Sequence, residues 1–550
     1  MRTLIWSLVM TLVSAPAYGQ QTVGVFLNTT EAFDGYTLFS PASRTETYLI
    51  DNCGHVINQW YSAYRPGQAA YLLQDGSLLR TGRISSLFNA GGTGGRLERF
   101  SWDGELEWAY EYSSETYHQH HDIEPLPNGN VLVLAWEQIS RDEAIAAGRD
   151  PATVSINGLW PEHIVELEPA GADSAIIVWS WHLKDHLVQD FDTSKANYGI
   201  IAEHSDRIDL NFISQGPGAD WIHANSVDYF PERDQIVISS RVFSEIWVID
   251  HSTTTEEAAS DAGGLSGKGG RILYRWGNPQ TYQRGGEEDQ RLFGQHDARW
   301  LEDGTIMVFN NGFMRPGPDF SQVDVITPPW DPETWAYQEP AAGAYLPDTA
   351  TWTYAGEPGA EFFSSNISGS MRLPNGNTMI CIGSSGRFIE VDSTGDLVWE
   401  YINPVGINGP VDQGSNPPSN QCFRAERYGP DDPAFAGRTL DPGPVLELNP
   451  LPDTCVIYPE DSMSTSVTRA VPASLHLAGN PVDRELVLLN HDQLELEITV
   501  TDLSGRVVLS MREAASTIRV PAGNWPAGLY ILLATDAAAR QQAVFKVFKL

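Results

Sequence analysis

The stretch HQHHDIEPLPNGNVLVLAW, residues 118–136, has the pattern of a β-hairpin. An Asn-Gly turn lies at its centre, and β-branched residues and period-two alternation are typical of the strands on either side. Related hairpins turn at Gly76, Gly304 and Gly376, and a copy at 223–241 has a longer turn. We therefore predict an all-β fold built from repeats.

A second type of hairpin alternates with the first and ends in tryptophan. Its copies are TYLIDNCGHVINQW (47–60), RLERFSWDGELEW (96–108), HIVELEPAGADSAIIVWSW (163–181), RFIEVDSTGDLVW (387–399) and a longer form from IWVID (246–250) to RILYRW (271–276). Four short strands per repeat are the signature of a β-propeller. We predict a six-bladed propeller over 47–410, with 321–360 and the chain ends completing the sixth blade. A long two-sheet sandwich is the alternative. The tryptophans are expected to pack between blades.

The remaining chain divides by composition. Residues 1–20, MRTLIWSLVMTLVSAPAYGQ, are predicted to be a secretory signal peptide, so the protein is expected to be exported. Residues 21–46 form a short N-terminal segment. Residues 411–470 are rich in Pro, Gly, Asp and Asn and are interpreted as an irregular linker. Residues 471–550 are predicted to form a small antiparallel β-sandwich.

Charge and cysteine content narrow the function. The net charge is −37, from 71 acidic and 34 basic residues, which disfavours binding to nucleic acid or anionic lipid. Cys422 and Cys455 flank the irregular stretch and are predicted to form a disulfide after export. Cys53 and Cys381 then pair or remain buried thiols, and the sequence does not choose among the three possible connectivities. No CxxC spacing occurs, and neither a metal nor a cofactor is expected.

Histidines recur at one position of the repeat. Counting eight residues back from each turn glycine gives Gln68, His121, His296 and Ser368, and the copy with the longer turn aligns His223 in the same column. The first strands of propeller blades line the central channel, so these histidines are expected to converge there.

A second column of the repeat contains Arg83, Trp136, Arg241, Asn311 and Gly383. Arg241 shares a hairpin with His223 and is expected to point into the same space. Within the run 118–121, strand alternation puts His121 on the face opposite His118 and His120, which argues against a shared metal ion.

Three imidazoles and a guanidinium suit the binding of a tetrahedral oxyanion, because arginine can hold it through paired hydrogen bonds. A neutral imidazole is also a competent nucleophile toward sulfur or phosphorus. We therefore predict sulfate or phosphate ester chemistry.

The segments HHDIEPLPNGNVLVL, IHANSVDYFPERDQIVISSR and QHDARWLEDGTIMVF resemble the arylsulfotransferases that use aryl sulfates directly as donors. The resemblance covers about 47–400, and His-x-Asn followed by Ser-Ser-Arg is its most specific part. It implies a six-bladed propeller that works without the nucleotide sulfate donor PAPS, by a ping-pong mechanism through a sulfohistidine.

Matched to the family, His296 takes the place of the nucleophile, with His121, His223 and Arg241 as partners. We hypothesise that Arg241 and His121 stabilise the sulfuryl oxygens. His223, steadied by the substrate-binding residue Asn225, protonates the departing phenolate and later deprotonates the acceptor phenol.

The C-terminal segment resembles the sorting domain of the type IX secretion system. The resemblance rests on Asn480-Pro481-Val482, on DLSGR at 502–506 and on GLY at 528–530. It implies the type IX machinery as a partner and a secreted or cell-surface location. Two other functions stay open: a non-enzymatic surface propeller that binds glycan or protein, and a sulfate or phosphate esterase.

Overall fold

The computed structural model describes residues 21–213, 218–340, 343–356, 362–451, 455, 475–478, 484–490, 493–502, 506–526, 528–536 and 542–549. The chain divides into two compact units, residues 1–457 and 458–550. The predicted signal peptide lies outside the described residues. No helix among the described residues is long and apolar enough to cross a membrane.

The first unit consists almost entirely of short strands. In chain order they are β1 (Gly24–Asn28), β2 (Tyr36–Pro41), β3 (Glu46–Ile50), β4 (Val56–Tyr61), β5 (Pro66–Leu72), β6 (Leu78–Arg83), β7 (Gly95–Phe100), β8 (Leu106–Glu111), β9 (Tyr117–Pro125), β10 (Val131–Glu137), β11 (Glu162–Ala170), β12 (Ser174–His182), β13 (Leu187–Val188), β14 (Ile208–Asp209), β15 (Ala224–Phe230), β16 (Gln235–Ser240), β17 (Glu245–Asp250), β18 (Tyr274–Trp276), β19 (His296–Trp300), β20 (Ile306–Asn310), β21 (Gln322–Ile326), β22 (Trp330–Asp331), β23 (Ala336–Tyr337), β24 (Trp352–Tyr354), β25 (Gly369–Arg372), β26 (Thr378–Ile382), β27 (Arg387–Val391), β28 (Leu397–Ile402), β29 (Val405–Gly406), β30 (Gly409–Pro410) and β31 (Cys422–Tyr428).

Helices are short and lie between the strands. They are α1 (Arg141–Ala146), α2 (Thr255–Ala258) and the 3-10 turns Leu183–Asp185, Ile201–Glu203, Pro279–Tyr282, Glu287–Asp289, Gly383–Ser385 and Pro433–Phe435. Both α-helices begin with a capping box, in which Ser140 pairs with Glu143 and Thr254 with Glu257.

Six antiparallel sheets of four or five strands make up the body of this unit. Their strand orders are β31-β2-β3-β4, β5-β6-β7-β8, β9-β10-β11-β12, β15-β16-β17-β18, β19-β20-β21-β24 and β25-β26-β27-β28-β1. The first strands β5, β9, β15, β19, β25 and β31 contact one another in a closed cycle. The sheets therefore form a propeller-like ring, with these six strands innermost.

Each pair of neighbouring sheets shares a hydrophobic cluster, and the clusters follow the same cycle. The repeated tryptophans lie at these interfaces, where each indole N–H donates to a backbone carbonyl of the next sheet or of a turn or loop adjoining its strands. The pairs are Trp60 to Ser101 (2.8 Å), Trp108 to Ser174 (2.8 Å), Trp181 to Gly270 (2.7 Å), Trp276 to Pro347 (2.8 Å) and Trp399 to Asn52 (2.8 Å). Burial of the large indole side chains, with their N–H groups hydrogen-bonded, stabilises the packing between neighbouring sheets.

The chain ends close the ring. Strand β31 pairs with β2, and β1 pairs with β28, so two sheets combine strands from both ends of the unit. The segment 321–360 was predicted to help form a sixth blade. Its strands β21 and β24 instead complete the sheet of β19 and β20. The ring thus takes strands from the predicted N-terminal segment, 21–46, and from the predicted linker, 411–470.

The predicted disulfide between Cys422 and Cys455 is wrong. Cys455 is bonded to Cys53, and Cys381 and Cys422 are buried thiols. Cys422 lies on the innermost strand β31, away from the surface. The chain after β31 returns along the outer edge of the ring, where Val445 bridges to His55, and this return brings Cys455 to Cys53.

The second unit contains two antiparallel sheets around one hydrophobic core. Its strands are β32 (Leu475–Ala478), β33 (Glu485–Asn490), β34 (Leu496–Asp502), β35 (Val507–Glu513), β36 (Thr517–Pro521), β37 (Gly528–Asp536) and β38 (Gln542–Lys549), in the orders β32-β33-β36 and β35-β34-β37-β38. Leu488 of one sheet and Ile498 and Leu532 of the other belong to the same buried cluster. The Asn480–Val482 motif and the centre of the 502–506 motif lie outside the described residues.

Candidate active site

The histidine column coincides with a break in the innermost strands. His121 and His223 have φ angles of +49° and +51°, in the left-handed region that non-glycine residues rarely adopt. In the third histidine strand the same conformation falls on Asp297, directly after His296, with φ +56°. The pairing register shifts across His121, directly after His296 and, in the strand that follows His223, between Ala224 and Ser226, as in β-bulges. Strained backbone of this kind is concentrated at functional sites.

The bulge contradicts one sequence-based prediction. Strand alternation was expected to put His120 and His121 on opposite faces. Their Nδ1 atoms instead lie 2.8 Å apart, because the left-handed residue turns the His121 ring back toward its neighbour. Gly92 makes room for that ring, since a Cβ at this position would lie 2.0 Å from the His121 ring.

His296 is buried and fixed at both ring nitrogens. Its Nδ1 lies 2.7 Å from Oδ1 of Asn311, and its Nε2 accepts the backbone N–H of Ile367 at 3.1 Å. The amide nitrogen of Asn311 donates to the carbonyls of Ser364 and Ile367, so its oxygen must face the imidazole. The Asn311 oxygen therefore accepts the Nδ1 proton, and the lone pair of His296 lies on Nε2.

Burial, reinforced by the positive charge of Arg241, holds the pKa of His296 well below its ordinary value. The Arg241 backbone N–H donates to the carbonyl of His223 at 3.2 Å, which puts the two residues side by side. The Arg241 guanidinium packs on the ring of Phe313 at 5.1 Å and makes no hydrogen bond to any described residue. Its paired donors are available to an anion.

His223 contacts both a second histidine and a carboxylate. Its ring centroid lies 4.8 Å from that of His121, and its Nδ1 is hydrogen-bonded to Asp220. The other oxygen of Asp220 accepts the indole N–H of Trp136 at 3.2 Å. A carboxylate on Nδ1 fixes the imidazole tautomer and leaves Nε2 for proton transfer.

Asn225 lies beside the histidines, but its side chain turns toward another strand. Its Nδ2 donates to the carbonyl of Gln295 at 2.8 Å, and its Oδ1 is buried without a hydrogen-bond partner. Asn225 thus ties β15 to the residue that precedes His296. Asp220 is the residue that orients His223.

Arg424 of β31 lies beneath the histidines and joins the innermost strands. Its guanidinium lies 2.8 Å from both Asp122 and Asp297, the residues that follow His121 and His296. Arg424 also donates to Tyr71 of β5 at 3.1 Å and to the carbonyl of Asn225 of β15 at 3.3 Å. Burial lowers the pKa of this guanidinium, but the two carboxylates outweigh that effect and raise the pKa overall. One side chain therefore holds all three histidine strands in register.

A cavity of about 430 Å³ adjoins the histidine cluster. Val242 and Ser244 of its lining follow Arg241, and Phe293 and Gly294 precede His296. Phe313, which stacks on Arg241, also lines this cavity. The cavity lies within the size range of small-molecule sites, about 300–1,000 Å³.

The structure brings His121, His223, His296 and Arg241 close to one another. Sequence reasoning missed Asp220, Glu162, Ile367 and Arg424. Asn311 and Trp136 were in the second column of the repeat, which was a usable signal. Arg424 lay in a stretch interpreted as irregular, and no sequence pattern marked it.

Metal-ligating groups occur elsewhere among the described residues. Glu137, His163 and His182 bring one ligand atom each within 4.8 Å of the others, but Glu137 is already paired with His182 and Lys184. A second group contains Cys53, which the disulfide occupies.

Comparisons with known proteins give one family match. The sequence model described as "Arylsulfotransferase (ASST)" matches residues 20–329. No curated protein matches the sequence.

Several solved structures are similar at low identity. A Bacteroides caccae protein of unknown function is 11% identical, with a TM-score of 0.37 over 72% of this chain and 98% of its own. Virginiamycin B lyase of Staphylococcus aureus is 8% identical, with a TM-score of 0.31 over 70% and 89%. PorZ, a surface component of the type IX secretion system of Porphyromonas gingivalis, is 10% identical, with a TM-score of 0.24 over 94% and 74%.

The family match covers all three histidines and Arg241, and it extends over more than half of the 550 residues. The protein therefore belongs to the arylsulfotransferase family.

Proposed function

We propose that this protein moves a sulfuryl group from a phenolic sulfate ester to a phenolic acceptor, without PAPS, by a ping-pong mechanism through a sulfohistidine at His296. The main support for the proposal is the tautomer and the protonation state of His296. Asn311 directs its lone pair to Nε2, and burial keeps the ring neutral at ordinary pH. A neutral imidazole with a fixed lone pair is the nucleophile that this chemistry needs.

In the first half-reaction, Nε2 of His296 attacks the sulfur of the donor. The N–S bond forms while the bond from sulfur to the phenolic oxygen breaks, and the electron pair leaves on the phenolate. The hydrogen bond from Ile367 to Nε2 breaks first, and the same N–H then lies close to the incoming sulfuryl oxygens. Arg241 and His121 stabilise the charge on those oxygens.

His223 supplies the proton for the departing phenolate. Asp220 on its Nδ1 supports this role, because it orients the ring and stabilises the charged imidazolium. In the second half-reaction His223 takes the proton from the acceptor phenol, whose oxygen then attacks sulfur and releases His296. Asn225 acts indirectly, because its side chain donates a hydrogen bond to the carbonyl of Gln295, the residue before His296.

The aromatic part of either substrate fits the cavity beside Arg241. The apolar side chains of Phe293 and Phe313 line it next to the segments that carry the reacting groups. Aromatic rings of substrate and protein gain both buried area and favourable ring contacts.

We infer that the six sheets are the blades of a six-bladed propeller and that the second unit is a β-sandwich sorting domain. The closed cycle of innermost strands and the single core of the second unit support this interpretation. Sorting by the type IX machinery, after removal of residues 1–20, delivers the protein outside the cell or to its surface.

The test is incubation with 4-nitrophenyl sulfate, with and without added phenol. Faster release of nitrophenol with phenol supports transfer. Release without an acceptor supports an esterase, and no release supports a binding propeller for glycan or protein. After donor alone, mass spectrometry is expected to find one sulfuryl group on the peptide containing His296, and none in His296→Ala.

A further inference from the structure

Glu162 and His120 are buried titratable residues with no role in the mechanism above. Glu162 begins β11 and His120 lies on β9, and their side chains are almost fully inaccessible. Oε2 of Glu162 lies 2.7 Å from Nε2 of His120, whose Nδ1 lies 2.8 Å from Nδ1 of His121. An unbroken chain of hydrogen bonds therefore leads from Glu162 to a histidine of the candidate site.

Each of these two contacts needs one proton between its two atoms. A neutral imidazole carries a single N–H, so the tautomers of both rings are coupled to the protonation of Glu162. If the carboxyl group is protonated, it donates to His120, His120 donates to Nδ1 of His121, and His121 carries its proton on Nε2. If the carboxyl group is ionised, it accepts the Nε2 proton of His120, and Nδ1 of His120 accepts the Nδ1 proton of His121. Nε2 of His121 then has only a lone pair.

The surroundings favour the first arrangement. Burial lowers the pKa of His120 and of His121 well below the ordinary value, so both rings are neutral. Burial also raises the pKa of Glu162 well above its ordinary value, and the charge of Asp220 adds to the effect. Oε1 of Glu162 accepts the backbone N–H of Ala224 at 2.8 Å, which leaves Oε2 to carry the proton.

The other groups that face this chain include two charged ones, Asp220 beside Glu162 and Arg424 beside His121, together with His296. His118, His163 and His223 are the titratable neighbours of His120. The indole of Trp136 stacks on the His120 ring with 3.9 Å between centroids, which holds the ring plane that both hydrogen bonds require. No lysine or arginine is among the groups that shift the pKa of Glu162.

We propose that Glu162 and His120 form a proton relay that sets the tautomer of His121 and makes its Nε2 a hydrogen-bond donor to the sulfuryl group. The inference rests on the proposed function, because the donor is needed only if an anion is bound there. Nε2 of His121 makes no hydrogen bond to any described residue, so it is free for a ligand. Glu162 and His120 are positioning residues, since they act through His121.

The relay predicts different reaction rates for two substitutions of Glu162. In Glu162→Gln, the amide N–H can still donate to His120 and the amide oxygen can still accept from Ala224. This variant is expected to keep most of the wild-type rate of sulfohistidine formation with 4-nitrophenyl sulfate. Glu162→Met removes both groups and is expected to lower the rate about 10²–10³-fold, the usual loss of one charge-stabilising donor.

Two further variants test the path and the specificity. His120→Phe keeps the stacking on Trp136 but has no ring nitrogen, so it is expected to lose as much as Glu162→Met. Glu166→Gln is the matched control. Glu166 lies on the same strand and bonds to His251 at 3.0 Å, outside the candidate site, so its loss is expected to change stability and not the rate.

The pH dependence separates the relay from a structural role. The wild-type rate is expected to fall at alkaline pH as Glu162 loses its proton, and Glu162→Gln is expected to lack that fall. A readout independent of turnover is the ¹⁵N NMR spectrum of histidine-labelled protein. Nε2 of His121, assigned by its loss in His121→Gln, is expected to show the shift of a protonated nitrogen in the wild type and in Glu162→Gln.

Two results would overturn the relay. One is a folded Glu162→Gln variant as slow as Glu162→Met, and the other is an NMR spectrum with the His121 proton on Nδ1. Failure of the proposed function would give a different result from failure of the relay. In that case wild-type protein forms no sulfohistidine from any aryl sulfate, while the NMR spectrum still decides the tautomer of His121.

Discussion

The backbone N–H of Ile367 donates to Nε2 of His296 at 3.1 Å. The nitrogen that we assign as nucleophile is thus covered in this conformation, and the residue that covers it is β-branched with φ +50°. Such a conformation is unfavourable for isoleucine, so the surrounding contacts must hold it. Opening this contact is the first event that the proposed reaction requires.

We predict that His296 reacts slowly with diethyl pyrocarbonate in the resting protein, because its ring is buried and both nitrogens are engaged. His55, whose side chain is 36% exposed, is the internal comparison. Mass spectrometry of peptides after graded exposure measures both rates. Equal labelling of the two histidines would contradict the covered state of Nε2.

We expect Arg241→Met to lower the rate of sulfohistidine formation about 10²–10³-fold, because an unpaired guanidinium facing the reacting sulfuryl group is lost. Arg241→Lys keeps the positive charge but lacks the paired donors of a guanidinium, so its rate is expected to lie between those of the wild type and Arg241→Met. Arg83→Met is the control, since Arg83 occupies the same position of the repeat and its side chain is exposed. A single-turnover assay measures all three, and an unchanged rate in Arg241→Met would remove this residue from the mechanism.

Arg424→Met is expected to destabilise the ring by about 3–5 kcal/mol, because it leaves the buried carboxylate of Asp122 without its charged partner, while Asp297 keeps only Arg299. Arg44→Met breaks a partly exposed pair with Glu46 and is expected to cost no more than about 1 kcal/mol. Urea unfolding gives both free energies. A cost for Arg424→Met as small as that for Arg44→Met would show that the carboxylates are not held by this arginine.

The His251 imidazole predicts a pH dependence of stability. Burial lowers the pKa of His251, but hydrogen bonds to Asp234 and Glu166 outweigh it and raise the pKa to about 9. Because the folded-state pKa lies above the ordinary value, this group stabilises the fold fully below about pH 6.5 and loses the effect as the pH rises through about 9. The full contribution is about 3 kcal/mol.

Unfolding of the wild type and of His251→Gln, followed at several pH values, tests this prediction. The difference between their free energies of unfolding is expected to shrink between about pH 6.5 and 9. A difference that stays constant over this range would mean that His251 is neutral in the folded protein.

The repeat made the ring and the histidine column predictable, because turn glycines and strand alternation depend on local sequence. Gly129 and Gly304 have φ +87° and +79°, as their tight turns require. The contact between His120 and His121 was missed because alternation holds only in a regular strand, and the bulge breaks it. The turn residues in the sequence therefore located the strands, but they did not indicate the β-bulge that brings His121 beside His120.

The partners of the histidines were missed for a different reason. Asp220 lies only three residues before His223, in an irregular stretch that no repeat pattern covers. Glu162 reaches His120 from another strand, and Arg424 lies on a strand that enters the ring from the far end of the chain. Such contacts depend on how the sheets meet, and no spacing along the chain encodes them. The Cys53–Cys455 bond was mispaired for the same reason, since it depends on the return of the chain along the rim.

The last innermost strand and the cysteine clip both precede residue 458, where the second unit begins. Hydrolysis of the chain directly after Ile457 would leave every strand of the ring and its covalent fastening in one fragment. Removal of the second unit would therefore leave in place the disulfide that joins the two ends of the ring.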